Sequence, residues 1–165
     1  HSLVERVVTG DGACQFRAVS DQLYGLEAAH GTVRAAAVAQ LAACPERYAA
    51  FVGGGEGHGA YASYVARMAS PREWGDAITL QAIADAYGVR IVVVSSYEPP
   101  FIQVVPAGGA GGVPPRVLYL SFFAEVHYNS VYAAPRAPVA VHGAAGGDDG
   151  PWTPERVKRW VVEGR

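Results

Sequence analysis

Cysteine is scarce in this chain of 165 residues, which contains only Cys14 and Cys44. Two thiols are too few for the disulfide scaffold that holds many small secreted domains together. The chain is therefore expected to work in a reducing compartment, the cytoplasm or the nucleus. A single bridge between the two cysteines is the alternative that the sequence leaves open.

Long apolar runs and an excess of positive charge are also missing. No run of about 18 or more apolar residues occurs, so no transmembrane helix is expected. The N-terminus does not join a basic stretch to a long apolar core, so it does not read as a signal peptide. With 13 basic and 15 acidic residues the formal net charge is −2, which lacks the basic excess of proteins that bind nucleic acid or anionic membranes. No nucleic-acid or membrane partner is predicted, and a monomer is expected.

What is present is the pattern of an α/β (α+β) domain, in which helical patterns precede strand patterns. The predicted helices are those near 14–25, 33–43 with Thr32 as N-cap, 61–68, and 77–87 with Asp76 as N-cap. The predicted strands are 89–95, 102–105, 117–122 and 126–132. This order favours a central mixed β-sheet flanked by helices.

The composition changes after residue 133. Residues 134–152 are rich in Ala, Gly and Pro, which is typical of a linker. Thr153-Pro154-Glu155 then combines an N-cap, a proline and an acid, which indicates a helix start. We therefore predict a domain at 1–133, a linker at 134–152 and a short C-terminal helix at 153–165 that docks back onto the domain. The alternative for this helix is that it binds a partner.

Cys14 stands where a cysteine nucleophile would be activated, at a predicted helix start after a Gly-rich turn. The unpaired N–H groups and partial positive charge of a helix N-terminus favour the thiolate. The main-chain N–H groups of four residues could hold an oxyanion: Asp11, Gly12, Ala13 and Cys14. The alternative for Cys14 is a small buried hydrophobe. Cys44 is interpreted as structural, because it lies at the C-terminal end of a helix.

His127 and Asn129 are the candidates for the rest of the site. Side chains alternate along a strand, so these two point the same way, with Cα atoms roughly 6.5 to 7 Å apart. An Asn side chain can span that gap and orient the imidazole of a catalytic base. The alternative is a histidine that only packs. The other histidines lack metal-ligand spacing to Cys or His, so no metal and no cofactor are predicted.

Three blocks of this sequence, taken in order, resemble the OTU (ovarian-tumour) family of cysteine proteases. The first is Gly10-Asp11-Gly12-Ala13-Cys14-Gln15-Phe16-Arg17-Ala18, the second runs from Trp74-Gly75-Asp76 to Ile91-Val92-Val93, and the third is Glu125-Val126-His127-Tyr128-Asn129-Ser130-Val131. Ala13 and Gln15 stand at positions where change is not expected to disturb catalysis. The resemblance covers about residues 4 to 133.

The resemblance implies a papain-like fold and a deubiquitinase, a thiol hydrolase of isopeptide or peptide bonds at the C-terminus of ubiquitin. It implies Cys14 as nucleophile, His127 as base and Asn129 as the group that orients the base. Asp11 matches an acidic residue counted with the site, either to shape the loop or simply to cap a turn. The alternatives are a non-catalytic ubiquitin-binding module and a protease for another ubiquitin-like modifier.

Overall fold

A five-stranded mixed sheet is the frame of the protein, seen in a computed structural model that describes residues 3–53, 58–96, 98–107, 116–123 and 126–133. The strands are β1 (Leu3–Arg6), β2 (Arg90–Ser95), β3 (Phe101–Val104), β4 (Val117–Phe123) and β5 (His127–Ala133). Their order across the sheet is β1-β5-β4-β2-β3. Only β2 and β4 pair in parallel, and the other neighbours are antiparallel. The predicted mixed sheet is confirmed.

Within these ranges five α-helices accompany the sheet: α1 (Cys14–Tyr24), α2 (His30–Ala43), α3 (Pro45–Tyr48), α4 (His58–Met68) and α5 (Ala77–Tyr87). Gly25 and Gly88 end α1 and α5 in the left-handed conformation, with φ of 76° and 61°, as predicted from their positions. Asp76 caps α5 as predicted, because its carboxylate accepts a hydrogen bond from the Thr79 N–H at 2.8 Å.

The start of α2 differs from the prediction. The helix begins at His30, three residues before the predicted Val33, and Thr32 lies inside it rather than at its N-cap. The physical reason is the 3₁₀ turn Glu27–Ala29, which leads directly into the helix. The His30 N–H donates to the Glu27 carbonyl, so backbone bonds of the turn replace the side-chain cap that Thr32 offered.

The helices pack so that the start of α1 lies at the sheet. Helix α1 contacts β4 and β5, α5 contacts β2 and β3, and α2 contacts α1, α4 and α5. Strand β2 is buried over residues 91–95, as its run of β-branched residues predicted. Phe16 and Val19 of α1 are fully buried, and α1 contacts α2 as well as the sheet.

Several predictions fall outside the described residues. The linker at 134–152 and the C-terminal helix at 153–165 lie there entirely. The loops 53–59 and 99–115, which we expect to face the substrate, lie there in part. Within the described ranges, no helix has the length and apolar character needed to cross a membrane. Cys14 and Cys44 are both free thiols.

Candidate active site

Cys14 and His127 line the same cavity of about 450 Å³, although they are 113 positions apart in the chain. Both residues line this cavity, and most of its remaining wall is apolar. The apolar wall includes Trp74, Leu80, Val93, Ile102, Val104 and Phe122. Trp74 is 56% exposed, which places it at the rim. A thiol and an imidazole therefore share an apolar cavity with access to solvent.

Cys14 is the first residue of α1, and its side chain is only 6% exposed. The position before it is Ala13, and no side chain caps the helix. The N–H groups of a first helical turn have no acceptor within the helix. Cys14 thus stands at the helix end where main-chain donors are unpaired and the dipole carries its partial positive charge.

Gly12 has a positive φ and lies close to the segment that contains Arg72 and Trp74. Its φ is +81°, in the region that side chains with a Cβ rarely adopt. A Cβ at this position would lie 2.8 Å from the Arg72 carbonyl oxygen and 3.4 Å from the Trp74 ring. Glycine is therefore required both by conformation and by space, two residues before Cys14.

Asp11 folds back onto its own loop and onto α1. Its Oδ1 accepts hydrogen bonds from the Ala13 N–H at 3.1 Å and from Arg17 Nε at 3.0 Å. Arg17 Nη2 donates to Oδ2 at 2.5 Å, which makes the ion pair bidentate. The bond to the Ala13 N–H caps the turn, and the bonds to Arg17 join the loop to α1, so the contacts include both roles that the sequence left open for Asp11. They also occupy the Ala13 N–H, which was one of the four predicted oxyanion donors.

The electrostatics of Asp11 follow from this pair. The hydrogen bonds from Arg17 lower the pKa of Asp11 to about 2, with the Ala13 N–H acting in the same direction and partial burial opposing both. Arg17 in turn has its pKa raised by Asp11. The side chain of Asp11 is 41% exposed, so solvent screens much of the interaction.

Replacing Asp11 by asparagine is expected to lower the free energy of unfolding at pH 7 by about 0.5–1 kcal/mol, because an exposed pair contributes little even when bidentate. Asparagine keeps one acceptor oxygen for the Ala13 N–H, removes the charge and replaces the second acceptor oxygen by an NH2 group. The folded pKa lies below the ordinary value of 3.8, so the stabilisation is complete above about pH 4 and is lost as the pH falls toward about 2.

Urea unfolding of the two proteins between pH 7 and pH 2 would check this expectation. The two stabilities should differ at pH 7 and converge toward pH 2. Glu5→Gln, at an exposed position of β1, is the control that removes one carboxylate without touching the loop. A difference that is the same at every pH would contradict the role given to the Asp11 charge.

His127 begins β5 and packs against the loop that carries Cys14. Its ring atoms Cε1 and Nδ1 lie 3.6 Å from the place where a Cβ on Gly10 would stand. Its Nε2 is buried and has no hydrogen-bond partner in the described part of the chain. The imidazole is thus held by packing, with one nitrogen still able to form a bond.

Asn129 is 5% exposed and serves first as an anchor for the segment that leads to the loop. Its Oδ1 accepts a hydrogen bond from the Val8 N–H at 3.2 Å. Among the described residues, no hydrogen bond joins the side chains of Asn129 and His127, so the predicted orienting contact is not formed in this structure. A carbonyl oxygen can accept two hydrogen bonds, so the bond to Val8 leaves room for a second.

Gln15 is a residue whose importance sequence reasoning missed. It is 1% exposed, and its Nε2 donates to the Asp76 carbonyl at 3.0 Å while its Oε1 accepts from Thr79 Oγ1 at 2.8 Å. The residue beside the nucleophile is therefore tied to the start of α5. The only signal in the sequence was its place next to Cys14.

Gly75 and Tyr64 complete this connection. A Cβ on Gly75 would overlap the carboxamide of Gln15 and lie 3.1 Å from the Phe16 ring. Tyr64 donates its hydroxyl to the Asp76 carboxylate, at 3.0 Å from each oxygen. The Trp-Gly-Asp motif was a usable signal, because its glycine allows the close approach and its aspartate caps α5.

No group of three or more His, Cys, Asp and Glu side chains is placed to hold a metal ion in the ranges that the structure describes. The arrangement that is present consists of a thiol at a helix start, an imidazole lining the same cavity and the main-chain N–H groups of the first helical turn. Chemically, such an arrangement can attack a carbonyl carbon and stabilise the resulting oxyanion without a metal.

Comparison with known proteins places these features in a family. The model of the OTU-like cysteine proteases matches residues 9–128. The chain is 44% identical over 140 residues to the OVARIAN TUMOR DOMAIN-containing deubiquitinating enzyme 12 of Arabidopsis thaliana, covering 84% of this chain and 60% of the relative. It is 42% identical to enzyme 9 of the same plant, covering 84% of this chain and 38% of that relative.

Solved structures share the fold. The OTU domain of OTUD1 matches with a TM-score of 0.66 at 20% identity, covering 79% of this chain and 86% of that one. An ovarian-tumour domain solved in complex with ubiquitin matches with a TM-score of 0.62 at 19% identity, covering 78% and 69%. These likenesses confirm the predicted papain-like α/β fold. Since the family model matches most of its length, the chain belongs to the OTU-like cysteine protease family.

Proposed function

We propose that this chain is a deubiquitinase, a thiol hydrolase that cleaves isopeptide or peptide bonds at the C-terminus of ubiquitin. The observation that carries the proposal is the meeting of Cys14 and His127 at one cavity, in a chain of this family. Relatives of the chain are named deubiquitinating enzymes, and one structural neighbour was solved with ubiquitin.

In the proposed reaction the Cys14 thiolate attacks the carbonyl carbon of the last ubiquitin glycine. The carbonyl electron pair moves to oxygen, and main-chain N–H groups hold that oxyanion. His127, protonated, gives its proton to the departing amine as the C–N bond breaks, which leaves a thioester. His127 then takes a proton from water, the water oxygen attacks the thioester, and free ubiquitin and the thiol are released.

The oxyanion donors follow from the loop contacts. The Ala13 N–H is already bound by Asp11 at 3.1 Å, so we assign the oxyanion to the remaining N–H groups of Asp11, Gly12 and Cys14. Asp11 acts on the reaction by holding the loop in shape. A preorganised donor costs no rearrangement at the moment of reaction, which is why the loop geometry matters.

Asn129 is proposed to orient His127 during the reaction. The unpartnered His127 Nε2 and the second lone pair of Asn129 Oδ1 are complementary. The bond would form when substrate closes the site, because catalytic hydrogen bonds are often long or absent before binding. In that state His127 Nδ1 faces the thiol.

Ubiquitin or polyubiquitin is the protein substrate, and the free state of both cysteines suits a reducing cytoplasmic or nuclear compartment. The catalytic unit is the domain at residues 1–133. The chain spans 60% and 38% of its two Arabidopsis relatives described above, so the proposal concerns this unit.

A ubiquitin probe with an electrophilic C-terminus tests the proposal. We expect one ubiquitin adduct by intact mass, located by peptide mapping on Cys14 and not on Cys44. A sample whose thiols are first blocked is the negative control, and probes built on other ubiquitin-like modifiers run in parallel. Labelling by another modifier alone would reject ubiquitin as the substrate. A folded protein that no probe labels would reject the enzyme.

A further inference from the structure

Arg34 of α2 is a buried cation that the proposed mechanism does not use. It is 5% exposed, and within the described ranges no carboxylate lies within ion-pair distance of it. Burying a charge is costly unless hydrogen bonds satisfy it. The contacts that satisfy Arg34 therefore indicate what this residue holds in place.

The guanidinium binds the turn between α4 and α5 through its carbonyl groups. Nη1 donates to the Met68 carbonyl at 3.1 Å, and Nη2 donates to the carbonyls of Pro71 at 3.3 Å and Glu73 at 2.8 Å. Met68 is the last residue of α4, where the negative end of the helix dipole favours a cation. Three bonds from one rigid fork define the path of residues 68–73.

The turn 68–73 also lies against the loop that carries Cys14. The Arg72 carbonyl oxygen is the atom nearest to the space beside Gly12, and the Trp74 ring closes the same space. Arg34 also lies 4.0 Å above the ring of Phe16, which belongs to α1 two residues after Cys14. One side chain thus contacts both the turn and the nucleophile helix.

We propose that Arg34 is a positioning residue for the oxyanion hole, which acts through the turn 68–73 on the Gly12 and Cys14 N–H groups. The inference rests on the proposed function for its catalytic meaning. Without the three carbonyl contacts, the Arg72 carbonyl is free to move and the Gly12 peptide loses the surface that fixes its orientation. A small displacement of such a donor weakens transition-state binding more than it weakens substrate binding.

The test compares Arg34→Lys and Arg34→Met with wild type in a Cys44→Ala background, so that Cys14 is the only thiol. Arg34→Lys keeps the positive charge, and it replaces Arg34→Met in the comparison if the methionine variant does not fold. With a ubiquitin C-terminal fluorogenic substrate, we expect kcat to fall about 100-fold for Arg34→Met, with a smaller fall for Arg34→Lys and little change in KM. Alkylation of Cys14 by iodoacetamide involves no oxyanion, so its rate should stay unchanged.

Arg67→Gln is the matched control. Arg67 lies on the preceding helix and pairs with the Glu73 side chain at 3.5 Å, but its own side chain is 59% exposed. This variant removes a positive charge next to the turn 68–73 but keeps the three hydrogen bonds from Arg34 to its carbonyl groups. The kcat of this variant should therefore equal that of wild type. An unchanged kcat in a folded Arg34 variant would overturn the proposal. Equal losses in turnover and alkylation would overturn it as well, because they indicate a general loosening.

A second readout separates this proposal from the proposed function. Amide resonances of Gly12 and Cys14 in labelled protein need no substrate, and in Arg34→Lys both should shift while that of Gly88 stays in place. If wild type fails to cleave ubiquitin, the proposed function fails, and shifted Gly12 and Cys14 resonances still support the positioning role. Unmoved resonances refute that role whatever the activity.

Discussion

Replacing Cys14 by alanine is expected to lower kcat by at least about 10⁴-fold, which in most assays is complete loss of turnover. The reason is that the sulfur is the atom that forms the thioester, and neither His127 nor the oxyanion donors can replace it. Turnover of a ubiquitin C-terminal fluorogenic substrate checks the rate. Stability should change by only about 1 kcal/mol, because one small buried group is lost.

Two further measurements make this prediction specific. Cys44→Ala removes the other thiol, which lies at the C-terminal end of α2, and it should retain wild-type turnover. Ubiquitin binding to Cys14→Ala, followed by calorimetry, should persist, since the apolar wall of the cavity is unchanged. A Cys14→Ala protein that still cleaves the substrate would show that another group is the nucleophile.

Replacing Gly12 by alanine is expected to reduce kcat at least about 100-fold, as loss of an oxyanion donor does. The new Cβ would stand 2.8 Å from the Arg72 carbonyl oxygen, so the loop or the turn must move, and the N–H groups beside Cys14 move with it. The left-handed φ of +81° adds a backbone cost, and the fold should lose about 1–3 kcal/mol in total. Fluorogenic turnover and urea unfolding measure the two effects separately.

Gly25→Ala is a control of nearly the same backbone conformation. Gly25 has a φ of +76°, but no atom lies within 4 Å of the place where its Cβ would stand. This variant should show only the conformational cost of about 1–2 kcal/mol and should keep wild-type kcat. If Gly12→Ala and Gly25→Ala behaved alike in both measurements, the contact with the Arg72 carbonyl would have no catalytic meaning.

Local chemistry explains which parts of the fold the sequence predicted well. Gly25 and Gly88 end helices because no other residue adopts the left-handed conformation as easily. The β-branched run in β2 is buried because such residues suit a covered strand. The prediction from Thr32 was wrong because the 3₁₀ turn before α2 supplies backbone hydrogen bonds in place of a side-chain cap.

The candidate site was also predicted only in part from the sequence. Residue type and spacing made Cys14, His127 and Asn129 candidates, and the family resemblance implied their roles. The structure brings the first two to one cavity. A hydrogen bond from His127 to Asn129 that orients the imidazole stays a prediction for the substrate-bound state. Gln15 and Arg34 were invisible, because a buried polar side chain is recognised only by the partners it finds.

The sequence by itself determined the residue types of the chemistry, the helix start that carries Cys14 and the strand that carries His127. These follow from interactions between neighbours in the chain, such as capping, turn formation and periodic burial. Only the tertiary structure decided which carbonyl presses on Gly12. The reason is that the turn at 68–73 is held by Arg34, which lies more than 30 positions earlier in the chain.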